Sequence, residues 1–414
     1  MDAKKEAERQ LALLERGCEE IVPREGLLAK LERSAITGIP LRVKLGIDPT
    51  SKNVHLGHMV PYGKLRQFQD LGHVAVLVIG DYTASIGDPS GRNAERPPLS
   101  LEAVRENAET YAEQIFRVVD RNRAELRRQS EWYGALSLAE TLSLAGSFSL
   151  AHMLSHETFR QRYEGGARVG VHELLYPILQ SYDSVAIGAD VEIGGTDQKF
   201  NILSGRDLMR DRGMESQCAL LVPLLNGLDG RKMSKSLGND IPVACEAEEQ
   251  FARLMSIADS QIDQYLALVL LESPEARKEA AERILGGENP RDLKLGLATR
   301  IVEKLNGTER AIRARAAWES RFSRGEEPES MPTLTLRTGM DIPGALRAGG
   351  LVSSTSEARR LIREGAVFAG TERVSESRLS LAAATVPAEG LVLRIGRRRY
   401  LRIVRETEAT RGRA

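Results

Sequence analysis

Two histidines, His55 and His58, stand three residues apart in a turn between a predicted strand and a predicted helix. The apolar, β-branched run at residues 41–47 indicates the strand, and the spacing of apolar residues over 59–71 indicates the helix. A helix N-terminus presents unpaired N–H groups and the positive end of the helix dipole, and Gly57 leaves room for a ligand. The turn is therefore a candidate phosphate site, although an isolated pair of this kind is more often a surface feature.

Two lysines, Lys232 and Lys235, lie in a glycine-rich loop at residues 230–238, after a predicted buried strand at 218–225. A charged loop is most often simply solvated. However, loops that follow parallel strands gather at one edge of the sheet, so this loop is expected beside the histidine turn. Phosphoryl-type chemistry needs mainly positioning and charge stabilisation, which imidazole and ammonium groups supply.

The surrounding elements alternate strand and helix as in nucleotide-binding α/β domains. The apolar run at residues 74–79 is typical of a strand buried on both faces, and it ends in a loop carrying Asp81 and Asp88. Residues 99–170 are predicted to be helical without a strand, and we interpret them as an insertion and a candidate self-association surface. We therefore expect a Rossmann-like α/β domain with a parallel sheet over residues 1–240.

The remaining segments predict further domains. Residues 4–33 carry the pattern of one or two helices, interrupted near Pro23. Residues 241–330 predict an α-helical domain, and 324–332 read as a linker because they contain glycine, proline and acidic residues. Residues 335–414 alternate a helix pair with short strands and predict a small α+β domain.

The composition of the 414 residues, 42% hydrophobic and 28% charged, is that of an ordinary globular protein with more than one domain. The net charge is zero, but residues 341–414 contain 14 arginines, no lysine and 8 acidic residues, so this segment is basic. Cys18, Cys218 and Cys245 are too few and too scattered for a disulfide framework or zinc cluster, and they fit a reducing cytoplasm. We expect no signal peptide and no membrane span.

The histidine turn and the lysine loop together resemble a known enzyme family. His55-Leu-Gly-His58 followed by Lys232-Met-Ser-Lys-Ser236 resembles the two signature motifs of class I aminoacyl-tRNA synthetases. The segment 354–365 resembles the S-four RNA-binding module, so the resemblance spans nearly the whole chain. Four other stretches are similar to the bacterial tyrosyl-tRNA synthetases of that class: Gly46-Ile-Asp-Pro-Thr50, Ile86-Gly-Asp-Pro-Ser-Gly91, Tyr176-x-x-x-Gln180-x-x-Asp183 and Ile193-Gly-Gly-Thr-Asp-Gln198.

The resemblance implies that L-tyrosine reacts with ATP to give tyrosyl-adenylate and pyrophosphate, and that the tyrosyl group then passes to the 3′ end of tRNA(Tyr). Mg²⁺ is expected to accompany ATP, and no metal ligand is assigned because no cage of carboxylates is visible. The implied catalytic residues are His55, His58, Lys232 and Lys235. The implied ATP-binding residues are Asp48, Thr50, His55, Gly57, His58, Gly195, Asp197, Lys232, Met233, Ser234 and Lys235.

The resemblance also implies a tyrosine pocket in which Asp183 accepts a hydrogen bond from the phenol hydroxyl. Two residues differ from the family pattern: Lys44 stands where many relatives have an aromatic residue, and Gln129 stands where asparagine is usual. The other contacts of the phenol hydroxyl are therefore less well defined than the one with Asp183. The spacing of Tyr176, Gln180 and Asp183 places them on one side of a helix. The implied tyrosine-binding residues are Asp88, Tyr176, Gln180, Asp183 and Gln198.

By the same resemblance, the helical domain lies on the anticodon side, the C-terminal domain binds RNA, and two copies form a homodimer through the helical insertion. Phe368-Ala-Gly370 replaces the more usual Val-Asn-Gly turn, which puts the detailed RNA contacts in doubt. The expected phosphate contacts are Arg359, Arg360, Arg363, Arg397, Arg398 and Arg399.

Three alternatives remain open. A tryptophan–tRNA ligase would share the fold, but Gln180, the stretch 193–198 and the C-terminal module argue against it. A small nucleotidyltransferase would need neither the helical segment nor the basic tail. A non-catalytic RNA-binding paralogue would be expected to lose some of the four catalytic residues, and all four are present.

Deletion of residues beyond about 335 should separate the two reactions. Tyrosine-dependent ATP–pyrophosphate exchange should persist because the catalytic residues remain, whereas tRNA charging should be crippled because the basic domain is lost. Exchange and charging are measured on the same truncated protein. Charging that survives the deletion would show that the C-terminal domain has no essential RNA role.

Overall fold

The chain folds into two compact units, Met1–Arg315 and Ala316–Ala414. The computed structural model describes residues 2–50, 53–90, 100–323, 331–336, 339–370, 372–375, 379–381, 386–387, 390–396 and 399–405, without the side chains of 101 and 321–323. Most of the segment 241–330 falls within the first unit. The finer division into three domains stays a prediction.

Within the described residues, a six-stranded sheet forms the centre of the first unit. Its strands are β1 Glu20–Val22, β2 Arg42–Ile47, β3 Val74–Ile79, β4 Ala124–Arg128, β5 Val191–Gly195 and β6 Cys218–Val222. Their spatial order is β1-β6-β5-β2-β3-β4, and all neighbours are parallel except β1 and β6. The chain proceeds from β2 through β3 to β4 on one side and later fills β5 and β6 on the other. The crevice between β2 and β5 is therefore the switch point at which open α/β sheets bind ligands.

Two strands correct the sequence-based expectation. Strand β4 lies inside the segment 99–170, which was expected to have no strand, and it pairs with β3 along its whole length. Its sequence Ala-Glu-Leu-Arg-Arg lacks a continuous apolar run because β4 is an edge strand whose residues are only partly buried. Strand β1 interrupts the helices expected over residues 4–33 and pairs antiparallel with β6.

Helices account for most of the remaining first unit. Helix α3 follows the histidine turn and packs against β2, β3 and β5, and α10 packs against α11. No helix of the described ranges is long and apolar enough to cross a membrane. The helices are α1 Ala3–Glu15, α2 Arg24–Thr37, α3 Leu56–Asp70, α4 Thr83–Ile86, α5 Leu101–Ile115, α6 Ser130–Tyr133, α7 Leu138–Gly146, α8 Leu150–Leu154, α9 Glu157–Glu164, α10 Val171–Ile187, α11 Lys199–Asp211, α12 Ala247–Met255, α13 Ile262–Leu268, α14 Pro274–Leu285, α15 Pro290–Asn306 and α16 Thr308–Ser323, which crosses the boundary between the units.

The second unit is a small α+β domain, as its sequence pattern predicts. Helices α17 Ile342–Ala348 and α18 Thr355–Arg363 pack together and share an apolar core with the sheet, which includes Leu346, Ile362 and Leu401. The described strands follow the order β7-β11-β10-β8-β9. They are β7 Thr333–Thr335, β8 Val367–Ala369, β9 Glu372–Arg373, β10 Leu391–Ile395 and β11 Arg399–Val404.

Candidate active site

A cleft of about 250 Å³ opens at the carboxyl ends of β2, β3 and β5. This is the edge at which the parallel strands deliver their loops. Every residue predicted for the tyrosine pocket lines this cleft, together with several residues predicted for ATP: Asp48, Thr50, His58, Asp88, Tyr176, Gln180, Asp183, Gly195 and Gln198.

The two histidines stack at the N-terminus of α3, with 3.8 Å between their ring centroids. The backbone N–H of His55 donates to Nδ1 of His58 at 3.2 Å, which places the proton of a neutral His58 ring on Nε2. Burial, the neighbouring His58 ring and the ammonium groups of Lys235 and Lys232 together lower the pKa of His55 to about 2, and burial with the same two lysines lowers the pKa of His58 to about 4. Both rings are therefore neutral near pH 7, and they offer hydrogen bonds without charge.

The lysine loop contacts the histidine turn directly. The N–H of Gly57 donates to the sulfur of buried Met233 at 3.3 Å, and Nζ of Lys235 donates to the carbonyl of Asn53. A Cβ at Gly57 would lie 3.0 Å from Nδ1 of His55, so glycine permits this close arrangement. The imidazole pair and the lysine pair, almost 180 residues apart in the sequence, thus meet at one edge of the cleft.

Lys232 and Asn239 hold the loop in place. Nζ of Lys232 forms an ion pair with Asp197, which follows β5, at 2.8 Å. The side-chain oxygen of Asn239 accepts from the N–H of Ser234 at 2.8 Å, and its amide donates to Asp229 at 2.6 Å. Asn239 was not singled out from the sequence, since asparagine in a loop is too common to carry a signal.

Asp48 joins the two predicted subsites. One carboxylate oxygen accepts from the hydroxyl of Tyr176 at 2.8 Å, and the other accepts from the hydroxyl of Thr83 at 2.8 Å. Gly80 lies so close that a Cβ there would stand 2.2 Å from both Asp48 Oδ1 and Thr83 Oγ1. The residue predicted for ATP and a residue predicted for tyrosine therefore form one hydrogen-bonded group.

Asp88 and Gln198 form a second polar group at the rim. The side-chain amide of Gln198 donates to Asp88 at 2.8 Å, and the N–H of Ser90 donates to the other carboxylate oxygen at 2.8 Å. Burial raises the pKa of Asp88, and these hydrogen bonds oppose the rise.

Asp183 lies at the floor of the cleft and is 2% exposed. Gln129 donates to Oδ2 at 2.8 Å and Trp132 to Oδ1 at 3.1 Å, while the Tyr133 hydroxyl lies 3.0 Å from Oδ1 and 2.6 Å from a backbone carbonyl. Burial raises the pKa of Asp183 to about 6, although Lys44 and these donors lower it. A carboxylate accepts about four hydrogen bonds, so Asp183 retains capacity for one more donor.

Sequence reasoning missed three residues beside this floor: Trp132, Tyr133 and Glu192. The first two follow β4, so recognition of that strand would have placed them at the ligand edge of the sheet. Glu192 carried a usable signal, because a carboxylate between the apolar residues Val191 and Ile193 needs a partner when the strand is buried. That partner is Lys44, which is buried below the cleft and pairs with Glu192 at 2.9 Å.

The residues predicted to bind RNA lie in the second unit. Arg359, Arg360 and Arg363 lie on α18, and Arg399 begins β11 and donates to the carbonyl of Leu351 at 2.8 Å. Arg397 and Arg398 lie outside the described residues. In the described part of the chain, no three His, Cys, Asp or Glu side chains are grouped so that they could hold a metal ion.

Comparison with known proteins identifies the family of this chain. Residues 37–323 match the family described as tRNA synthetases class I (W and Y). A tyrosine–tRNA ligase from Bordetella pertussis is 45% identical over 400 residues, covering 96% of this chain and 97% of the relative. One from Symbiobacterium thermophilum is 46% identical over 403 residues, covering 96% and 98%. The solved tyrosyl-tRNA synthetase from Archaeoglobus fulgidus, complexed with L-tyrosine, shares the fold with a TM-score of 0.60 at 24% identity, covering 75% of this chain and 99% of that one.

The parallel sheet, the histidine turn and the lysine loop thus belong to a class I aminoacyl-tRNA synthetase. The matched family includes enzymes for tryptophan and for tyrosine. The two relatives that align over nearly their whole length are both tyrosine–tRNA ligases. This chain belongs to the tyrosine–tRNA ligase family.

Substitution of Gly80 by alanine should break the Asp48 group. The added methyl would displace the Asp48 carboxylate or the Thr83 hydroxyl, and displacements of this size reduce rates by about 100-fold. Tyrosine-dependent ATP–pyrophosphate exchange measures the loss. Gly296→Ala is the matched control, because a Cβ there meets nothing within 4 Å and alanine favours its helix. Equal activity of both variants would contradict the importance of the Asp48 group.

Proposed function

We propose that this cleft holds L-tyrosine and ATP side by side and joins them. The observation that carries the proposal is the contact between the histidine turn and the lysine loop beside a pocket floored by Asp183. As a tyrosine–tRNA ligase, the enzyme forms tyrosyl-adenylate and then charges tRNA(Tyr).

The first reaction forms one bond and breaks one. A carboxylate oxygen of tyrosine attacks the α-phosphorus of ATP, and the bond to the bridging oxygen breaks, so that pyrophosphate leaves with its electron pair. No covalent enzyme intermediate is needed. The protein contributes positioning and stabilisation of the charge that develops on the phosphate oxygens.

The phosphate side of the cleft carries the groups that this charge requires. We assign His55 and His58 as neutral hydrogen-bond donors, and Lys232 and Lys235 as the cations that stabilise the leaving pyrophosphate. The N-terminus of α3 adds the positive end of its dipole. The same proposal gives Gly57 the role of admitting the phosphates closely. Met233 and Ser234 position the lysines from within the loop.

The nucleoside side of the cleft lies at the ends of β2 and β5. We assign Asp48 and Thr50 to ATP, and Gly195 and Asp197 to its ribose. Asp197 already pairs with Lys232, so ATP binding would place a substrate hydroxyl beside that ion pair. Mg²⁺ enters as part of the ATP complex, with the phosphates as its ligands.

The tyrosine side offers acceptors at both ends of the substrate. Asp183 accepts from the phenol hydroxyl, and its remaining hydrogen-bonding capacity supports this role. The ammonium group is bound by Asp88, Tyr176, Gln180 and Gln198 near the rim. Phenylalanine would leave Asp183 without its donor, which is the physical reason for its rejection.

We further propose that the second unit binds tRNA through its arginines. Arg359 and Arg360 support this role, because more than half of each side chain is exposed and their ion pairs with Asp341 and Glu364 are solvent-exposed and therefore weak. We also infer that the enzyme works in the cytoplasm, since Cys18, Cys218 and Cys245 are all free thiols.

An amino-acid panel tests the proposed reaction. ATP–pyrophosphate exchange should depend on L-tyrosine, because only its phenol donates to the buried acceptor, and tryptophan and phenylalanine should support little exchange. The initial exchange rate is measured for each amino acid at equal concentration. Equal rates with phenylalanine would refute the role of Asp183, and a preference for tryptophan would refute the proposed substrate.

We propose that two copies associate through the helical insertion. Leu138 and Leu142 lie four residues apart on α7 and are 75% and 64% exposed, and Leu150 on α8 is also exposed. Apolar side chains on neighbouring helices are typical of an interface between subunits.

Leu142→Asp should shift the enzyme from dimer to monomer, because a buried unpaired carboxylate opposes association. Sedimentation at micromolar concentration measures the mass. Leu285→Asp is the control, since Leu285 is 86% exposed on α14, away from the insertion. A wild-type protein that sediments as a monomer would refute the dimer.

A further inference from the structure

A buried ion pair lies at the inner wall of the cleft, where Glu192 is a lining residue. Lys44 of β2 and Glu192 of β5 are cross-strand partners at the switch point, and Nζ and Oε1 are 2.9 Å apart. Neither side chain is more than 1% exposed. Two charges at such depth are stable only when their remaining hydrogen-bonding positions are filled.

The protein fills all of those positions. The three protons of Lys44 meet Glu192, the backbone carbonyl of Gln180 at 2.8 Å and the hydroxyl of Ser184 at 2.8 Å. Glu192 also accepts from the Gln180 amide at 3.1 Å, from Ser184 at 3.1 Å and from Gln217 at 2.5 Å. An ammonium group has three donors and a carboxylate about four acceptor positions. Neither group therefore has capacity left for a substrate, and both act through the residues they hold.

Gln180 and Glu192 both line the cleft, and of the two only Gln180 has hydrogen-bonding capacity left. Lys44 holds its backbone carbonyl, and Glu192 holds its side-chain NH₂. Because Glu192 only accepts, it fixes which way the amide is turned: the NH₂ faces the carboxylate, and the amide oxygen is on the other side. No described residue donates a hydrogen bond to that oxygen, so it is an acceptor available to a cationic group in the cleft.

We propose that the Lys44–Glu192 pair is a positioning device for ammonium recognition, which orients the amide of Gln180 so that its oxygen accepts from the amino group of the substrate. This inference rests on the proposed function and extends it to two residues whose hydrogen-bonding positions are all occupied within the protein. Without this anchor the amide would take either orientation in the free enzyme, and ligand binding would have to select the one whose oxygen faces the ammonium group.

The test compares tyrosine with 3-(4-hydroxyphenyl)propanoate, which keeps the phenol and carboxylate but lacks the amino group. Lys44→Met/Glu192→Gln removes both charges together, whereas Glu192→Gln alone removes the carboxylate and leaves the Lys44 ammonium without its counter-ion. In both variants the KM for tyrosine should rise about tenfold or more, as expected for loss of a hydrogen bond to a charged group. The inhibition constant of the analogue and the KM for ATP should change by less than about twofold.

A variant at Lys30 controls for the general effect of removing a buried lysine. Lys30 lies on α2 and pairs with Asp190 at 3.2 Å, outside the cleft lining. Lys30→Met should lower the melting temperature and leave the KM for tyrosine unchanged. If the double variant fails to fold, as shown by circular dichroism, Glu192→Gln decides the question alone.

Three results would overturn the inference. Equal weakening of tyrosine and the analogue would mean that the pair only supports the pocket wall, and unchanged tyrosine KM would mean that it does not orient Gln180. In a Gln180→Ala background, the pair variants should add little, and full additivity would also overturn it. Absence of tyrosine-dependent exchange in the wild-type enzyme would instead refute the proposed function.

Discussion

Parallel pairing of β2 with both of its neighbours is the constraint on which the cleft depends. Because β2, β3 and β5 run in the same direction, the chain must leave all three at one edge of the sheet. The histidine turn, the loop after β3 and the segment after β5 therefore meet, and β6 adds the lysine loop. Contacts as short as that between Gly57 and Met233 are possible only because the sheet has already aligned these loops.

Charge is distributed unevenly along the cleft. Lys232 and Lys235 lie with the N-terminus of α3 at one end, whereas the carboxylates of Asp88 and Asp183 lie on the side assigned to tyrosine. A triphosphate and an amino acid with a cationic end would be sorted by this field before any specific contact forms. The two histidines lie at the positive end, beside the lysine loop, and because they are neutral they add no charge that would repel the lysines or the phosphates.

Much of this arrangement was predictable from the sequence, and the failures have physical causes. Unbroken apolar runs indicate buried parallel strands such as β3, so the centre of the sheet and the loops that follow its strands were predicted. The edge strands β1 and β4 were missed because partial exposure lets them carry charged residues. Because β4 was not predicted, Trp132 and Tyr133, which follow it, were not identified as site residues. Lys44 and Gln129 looked like departures from the family pattern, and only the coordinates show that one pairs with Glu192 and the other donates to Asp183. Which side chains pair across two strands depends on the register between the strands, and a single sequence does not give that register.

The alternation of side chains along β2 also limits which changes of length this strand tolerates. Side chains alternate between the two faces of a strand, so Lys44 lies on one face of β2 while Val43 and Leu45 lie on the other. Deletion of one codon within this strand would exchange the faces, leaving Glu192 without its cation and placing a charge in the apolar layer behind. Point substitutions can be absorbed at many surface positions, but a change of length in these six residues would disable folding and ammonium recognition together.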